Sequence, residues 1–341
     1  MKEKQGYTVI GFGLAGAVLC WRLYRRNIPF RVVDSGKNTA SKVAAGISNP
    51  VVFKRLTKSW MIDELLPEAE GLYSQIEADL GVPIIRRANI RRVFASVEEE
   101  NNWSSLEGDD RFKAYLRSEG QLIDGIEAPF GTGVVITMGS LDLPVFLEQS
   151  EAYFKSKGIQ FEHEVFDYNA VVPEKQYVFC EGYQFSANPW FNYLLLKPAQ
   201  GEVLVIECPE LNIDEVINKN VFIQPLGNSL FKVGATYNWT LREALITEEG
   251  KEELLEKLRT FLKYDFKIVG HQAGIRPTIP DRRPYLGTHP ARSNLHIFNG
   301  LGTKGVMLAP YFSGHLLDHL LNGKELMPEV NITRYRKHFR E

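Results

Sequence analysis

Three glycines spaced as in a phosphate-binding turn are the residues of this chain most ready for chemistry. Gly11-Phe12-Gly13-Leu14-Ala15-Gly16 follows directly on Thr8-Val9-Ile10, a short apolar run, and precedes a helical run from Ala17 to Tyr24. In such a setting Gly11 permits the tight turn and Gly13 lets the backbone approach a pyrophosphate. Gly16 lets helix and strand pack closely. The helix start, with Leu14 and Ala15, offers free N–H groups and a partial positive charge to phosphate. Phe30 to Asp34 reads as a second strand ending in an acid, followed by Ser35. Asp34 stands 23 positions past Gly11, where a carboxylate can accept hydrogen bonds from ribose hydroxyls. A second glycine-rich turn, Asn299 to Gly305, follows the apolar run Leu295 to Phe298 and opens another helical run from Val306 to Leu321.

The intervening chain must position these two turns. Thr39 to Val52 is rich in small residues, with Ser41, Ala44, Ala45 and Gly46, and its lack of bulk suits backbone lying against a flat ligand. Apolar residues at helical spacing predict helices over Met61 to Leu80 and Leu143 to Lys157, closed by Gly81 and Gly158. A charged stretch, Asn101 to Gly120, is predicted helical with Phe112, Tyr115 and Leu116 on one face; Glu248 to Tyr264 is a further amphipathic helix. Ile84 to Val97 is expected to form a strand pair, and Gly133 to Thr137, Ile159 to Phe166 and Tyr177 to Glu181 single strands. Gly201 to Glu207, Val221 to Pro225 and Leu230 to Gly234 alternate apolar and polar residues, as half-buried antiparallel strands do. A nicotinamide-type sheet completes itself in roughly 150 continuous residues. Here the alternation of helix and strand breaks after Asp34. The expected fold is therefore α/β with two domains. Residues 1–50, 140–194 and 271–341 make a discontinuous Rossmann-like domain, and 51–139 with 195–270 make an inserted antiparallel-sheet domain.

At 341 residues, two domains are the default. The composition, 44% hydrophobic and 24% charged, is that of an ordinary globular protein. A net charge of −2 argues against a broad nucleic-acid surface and leaves a local patch open. Cys20, Cys180 and Cys208 have no metal spacing, and their apolar neighbours point to reduced thiols in a cytoplasmic setting. No run approaches the ~20 apolar residues of a membrane span. His315 and His319 stand one helical turn apart but lack a third ligand at proper spacing, so no metal is expected.

Several of these residues together resemble the D-amino-acid oxidase superfamily of FAD-dependent amine oxidoreductases, which includes glycine oxidase and sarcosine oxidase. The glycine turn and Asp34 are similar to the family's ADP-binding start. Ser41 to Gly46 with Asn49-Pro50 is similar to its segment beside the flavin, and Cys180-Glu181-Gly182 stands where the family has Ala-x-Gly. Lys197 to Glu202 resembles its Pro-x-x-Gly-Gln/Glu strand entry. The most specific block is Ala273-Gly274-Ile275-Arg276-Pro277, Asp281 and Pro284 to Gly287, continuing through Gly302-Thr303-Lys304-Gly305 to Ala309-Pro310.

The resemblance implies FAD and oxidation of a C–N bond in a small amino acid or secondary amine, with hydride passing to flavin N5 and the imine product hydrolysing. It implies Arg276 as the grip on a substrate carboxylate, Gly302, Thr303, Lys304, Gly305 and Val306 as the turn facing the isoalloxazine, and Val165 as main-chain contact to adenine. Tyr237 is the nearest candidate for a substrate-facing aromatic. All three cysteines precede residue 210, whereas covalent relatives tether the flavin late in the chain; non-covalent FAD is therefore expected. The electron acceptor, oxygen or quinone, stays open.

Chemistry agrees with these roles. Arg276 can fork bidentately to a carboxylate, and Lys304 on a helix N-terminus would place positive potential where a reduced flavin carries charge. Plainer roles stay open: Arg276 bonding loop carbonyls, Lys304 solvated, Tyr237 at a rim. Arg86-Arg87 and Arg91-Arg92 fit a solvated sheet face or a tRNA-binding surface, and Lys54, Arg55 and Lys58 an anion-attracting or merely solubilising loop. An oxidoreductase acting on a tRNA wobble base, a non-catalytic flavin protein and an NAD-dependent dehydrogenase are the rival readings.

Overall fold

A computed structural model describes residues 6–37, 40–119 and 122–339. Thr39 and Gly120, at the edges of two expected segments, lie outside them.

The glycine turn opens a six-stranded sheet. Its first strand, Tyr7–Ile10, lies between Phe30–Val33 and Gln176–Phe179, in parallel with both. Phe161–Glu162 extends one edge and Arg292–Asn299 the other, also in parallel, and Tyr285–His289 closes the sheet in antiparallel sense. All of these strands fall within the three stretches expected to form the Rossmann-like part.

The first helix, α1 (Leu14–Arg25), packs one side of this sheet, burying Ala17, Val18, Trp21 and other residues on a face kept apolar at helical spacing. A Cβ on Gly16 would run into the Gly11 carbonyl, so glycine alone lets the helix start this close to the strand. The short α2 (Ala40–Val43) follows the second strand. The longer α3 (Ile62–Leu80) ends where Gly81 takes φ +68°. On the other side of the sheet, Phe179, Phe185, Phe191, Tyr285 and Ile297 form a separate core.

An eight-stranded, mostly antiparallel sheet holds the remaining bulk. In it Ala199–Glu207 lies between Leu230–Gly234 and Lys267–Arg276, and Phe222–Gly227, Val216–Asn218 and Ile90–Val93 continue outward. Alternation splits its faces. Leu204, Ile206, Ile217, Ile223 and Val233 form a core with Leu254 and Leu258 of a helix running over Glu248–Arg259. The opposite face, carrying Gly201, Val203, Phe222 and Gly234, looks toward the glycine turns.

Three local expectations change. Ile85–Arg86 and Ile90–Val93 do not pair with each other; the former joins Ser140–Leu141 and the latter the large sheet. The helix expected over Asn101 to Gly120 runs instead over α4 (Val97–Glu107). The Ser96 hydroxyl accepts from Glu99 N–H, and Glu98, Glu99 and Glu100 fill the first turn, favouring that earlier start. Phe112, Tyr115 and Leu116 are buried from a turn and a two-residue strand, not from a helix face. The strand expected over Ile159 to Phe166 is only Phe161–Glu162. Lys267–Arg276 and Tyr285–His289 were not legible, because glycines and polar residues interrupt both.

The helix Leu143–Ser156, α5, begins with Asp142 accepting from Val145 N–H and carries Pro144 in its first turn. With the Glu248–Arg259 helix as α6, the last is α7 (Gly305–Asn322), which packs against α1 and α3.

Candidate active site

A cavity of about 480 Å³ lies between the two sheets. Gly13, Leu14 and Ala15 line one end, and Gly302, Thr303, Lys304, Gly305 and Val306 line another part. The N-terminal ends of α1 and α7 therefore open onto the same space. Gly13 and Lys304, the capping residues, give no side-chain cap to either helix. Two helix starts whose own N-cap residues give no side-chain cap thus share one cavity and form a cradle for anionic groups. Ala44, Ala45, Gly46 and Gly182 also line it, as do Ser41 and Cys180. The Ser41 hydroxyl accepts from Leu14 N–H at 3.1 Å, tying the small-residue loop to the first glycine turn.

Gly11 and Gly16 sit behind this lining, where they shape the turn. Asp34 accepts from Phe12 N–H at 2.9 Å and Gly36 N–H at 3.1 Å, and the Ser35 hydroxyl bonds the Gln184 side-chain oxygen at 3.0 Å. Both residues lie at the strand end beside the turn, outside the cavity wall. Val165 lies past the short edge strand and is 64% exposed, apart from the cavity lining.

Arg276 ends the Lys267–Arg276 strand and reaches over its neighbour. A Cβ on Gly201 would collide with the guanidinium. Nη1 donates to the carbonyls of Gln200 at 3.3 Å and Thr236 at 3.2 Å, and the Tyr237 ring lies 4.2 Å from the guanidinium carbon. Burial pulls the Arg276 pKa down, opposed by Tyr237. Its polar partners among the described residues include no carboxylate. A largely buried cation lining a cavity without a counter-ion favours an anionic ligand. The plainer expectation holds for one nitrogen of Arg276, which bonds loop carbonyls, and the residue also lines the cavity.

The family model for "FAD dependent oxidoreductase" (DAO) matches residues 7–320. The chain belongs to the DAO family of FAD-dependent oxidoreductases. Glycine oxidase of Bacillus subtilis is 22% identical over 96% of this chain and 95% of its own length. Among solved structures, the fold resembles glycine oxidase from Geobacillus kaustophilus (TM-score 0.80, 20% identity, covering 97% and 98% of the two chains). It also resembles iminodiacetate oxidase from Chelativorans sp. BNC1 (TM-score 0.76, 19% identity, covering 96% and 98%).

The cavity of this DAO-family chain fits FAD: the α1 start for the phosphates, the α7 start for the ring, and small-residue walls at Ala44, Ala45, Gly46 and Gly182 for a flat group. Lys304 is not solvated. Its ammonium donates to the Asn49 carbonyl at 3.0 Å and to the Ser59 hydroxyl, bracing the start of α7 to the Asn49–Ser59 segment. Burial lowers its pKa to about 8.

Two residues missed in the sequence hold the loop beside the cavity. Lys232 donates to the Val43 carbonyl at 3.2 Å, and burial lowers its pKa. Gln224 donates to the Ala45 carbonyl at 2.8 Å and the Ser140 hydroxyl at 2.9 Å. Strand alternation could have found Lys232, since it shares a face with Gly234.

Most of the other charged candidates have partners within the fold. Arg87 pairs with Glu77, Arg91 with Glu215 and Arg92 with Glu99, while Arg86 donates to the Leu226 carbonyl. Three of the four arginines are therefore paired with carboxylates within the fold. Lys58 pairs with Asp63; Lys54 and Arg55 border a second cavity beyond Phe53. His315 accepts from Met327 N–H, and His319 contacts the Lys324 carbonyl. No cluster among the described residues could hold a metal, and none of their helices is long and apolar enough to cross a membrane.

Proposed function

We propose that this oxidoreductase oxidises the C–N bond of a small amino acid or secondary amine bearing a carboxylate. The observation that carries the reading is Arg276, an unpaired, largely buried cation facing the cavity that the two glycine turns share. The names of its relatives, glycine oxidase and iminodiacetate oxidase, support the same substrate chemistry. FAD, held non-covalently by the residues lining the cavity, would supply the two-electron oxidant that accepts hydride from the substrate. The chain's own tasks are to bind, orient and exclude water.

Residues divide these tasks. The starts of α1 and α7 hold anionic groups, with Gly13, Leu14, Ala15 and Ser41 at one and Gly302 to Val306 at the other. Asp34 and Ser35 border the ribose side, and Ala44, Ala45, Gly46 and Gly182 give flat walls. Arg276 grips the carboxylate, and Tyr237 covers it. Lys304 fixes the α7 start through Asn49 and Ser59. A substrate amine that binds neutral needs no general base. The imine formed hydrolyses in water to a carbonyl compound and an amine or ammonia.

The paired arginines of residues 86–92 weigh against the tRNA reading. The proposal is tested by product analysis during turnover with glycine and N-methyl amino acids. A 2-oxo acid with stoichiometric amine or ammonia is expected; an acid-only or alcohol product would overturn it.

A further inference from the structure

The cavity does not end at Arg276. It crosses the inner face of the eight-stranded sheet. Val203, Gly234, Phe222 and Asn218 stand opposite one another across four adjacent strands and therefore share one face, and Arg92 is next in the row. The first four line the cavity. Gly234 opens the middle: a Cβ there would press on Val203 and Phe222. The Arg276 guanidinium lies over Gly201, on the same strand as Val203. Three strand spacings separate that strand from Asn218, about 14 Å at the usual interstrand distance. Glycine alone would leave most of this trough unfilled.

The far end is polar and oriented. Arg92 Nη1 donates to Asn218 Oδ1 at 2.8 Å. A guanidinium has no acceptor, so the contact fixes the carboxamide with its NH2 turned elsewhere. Among the described residues Nδ2 has no protein acceptor. Arg92 is itself held by Glu99 at 2.8 Å and lies 5.1 Å from the centre of the Phe53 ring. Between the two ends, Val203 and Phe222 supply apolar wall, and Val216, Ile90, Val52 and Phe53 continue the apolar lining around the Asn218 end.

Resting on the proposed grip of Arg276 on a carboxylate, we infer that the substrate is an extended amino acid whose far end carries a hydrogen-bond acceptor, a carbonyl or carboxylate oxygen, received by Asn218 Nδ2. Asn218 is then a specificity-determining residue, and the apolar wall spans the chain between the two polar groups.

The test is calorimetric binding to the FAD-loaded protein. Straight-chain monocarboxylates of increasing length are compared with chain-matched ω-oxo acids. At the length that reaches Asn218, the oxo acid should bind roughly tenfold tighter, the worth of one good buried hydrogen bond. Asn218→Leu should erase that gap and leave the plain alkanoates unchanged. Asn218→Asp, which can pair with Arg92 and offers no donor, should erase it too and covers the case in which Leu is not tolerated. Equal affinity of both series at every length, with Arg276→Ala still weakening both, would overturn the inference while leaving the carboxylate grip intact. Binding that Arg276→Ala does not weaken would overturn the grip itself, and the inference with it.

Discussion

Replacing Arg276 with alanine should raise KM for the carboxylate-bearing substrate while FAD stays bound. The guanidinium has Nη1 committed to the Gln200 and Thr236 carbonyls, so Nη2 and Nε remain for a ligand. Hydrogen bonds to charged groups contribute about 1.5–3 kcal/mol each. At about 1.4 kcal/mol per decade, loss of even one predicts a ten- to two-hundred-fold rise in KM. The two carbonyls lose a partner as well, costing stability on the order of 1–2 kcal/mol, which a thermal melt reads separately. Arg276→Lys should fall between, because a point charge keeps attraction without the fork. The assay is steady-state kinetics with the flavin absorbance recorded on each variant. An unchanged KM in a variant that retains FAD would refute the role given to Arg276.

Further outcomes follow from neighbouring contacts. Gly201→Ala should displace the guanidinium and reproduce the KM defect, with the flavin spectrum retained. Lys304 titrates at about 8 in the fold against 10.5 when unfolded, so its charged form is disfavoured by folding. Stability should therefore rise between about pH 8 and 10.5, and Lys304→Met should remove that rise in pH-resolved melts. Glu181, buried beside Tyr168 and Asn188, is pushed up to about 7 from 4.5 by desolvation. Its contribution is fully present below pH 4.5 and lost as pH climbs through 7, so Glu181→Gln should flatten the loss of melting temperature across that window.

Much of the cofactor side was legible because its residues are local. The Gly11–Gly16 turn, its flanking strands and α1 lie within one short stretch, where Gly11 and Gly16 each have a steric reason. The second turn at Gly302 to Gly305 showed the same strand-to-helix grammar. The large-sheet side of the cavity was less legible because it is assembled from pairings distant in sequence. Asn218 meets Arg92, and Lys232 meets Val43, only once the large sheet forms. The helix expected over Asn101 to Gly120 was misplaced because Phe112, Tyr115 and Leu116 imitate a helical face while being buried from a turn and the short strand after it. Lys304 and the Arg86–Arg92 stretch show the same limit: a sequence gives their charge but not the carbonyls and carboxylates that occupy them.

The central claim is tested most directly by an anaerobic absorbance scan of the purified, FAD-loaded protein against amino acids and N-methyl amino acids. Bleaching of the oxidised flavin band by a carboxylate-bearing amine, and not by its decarboxylated analogue, is the result expected. A fully loaded flavin that no member of the panel reduces would contradict amine oxidation at this site.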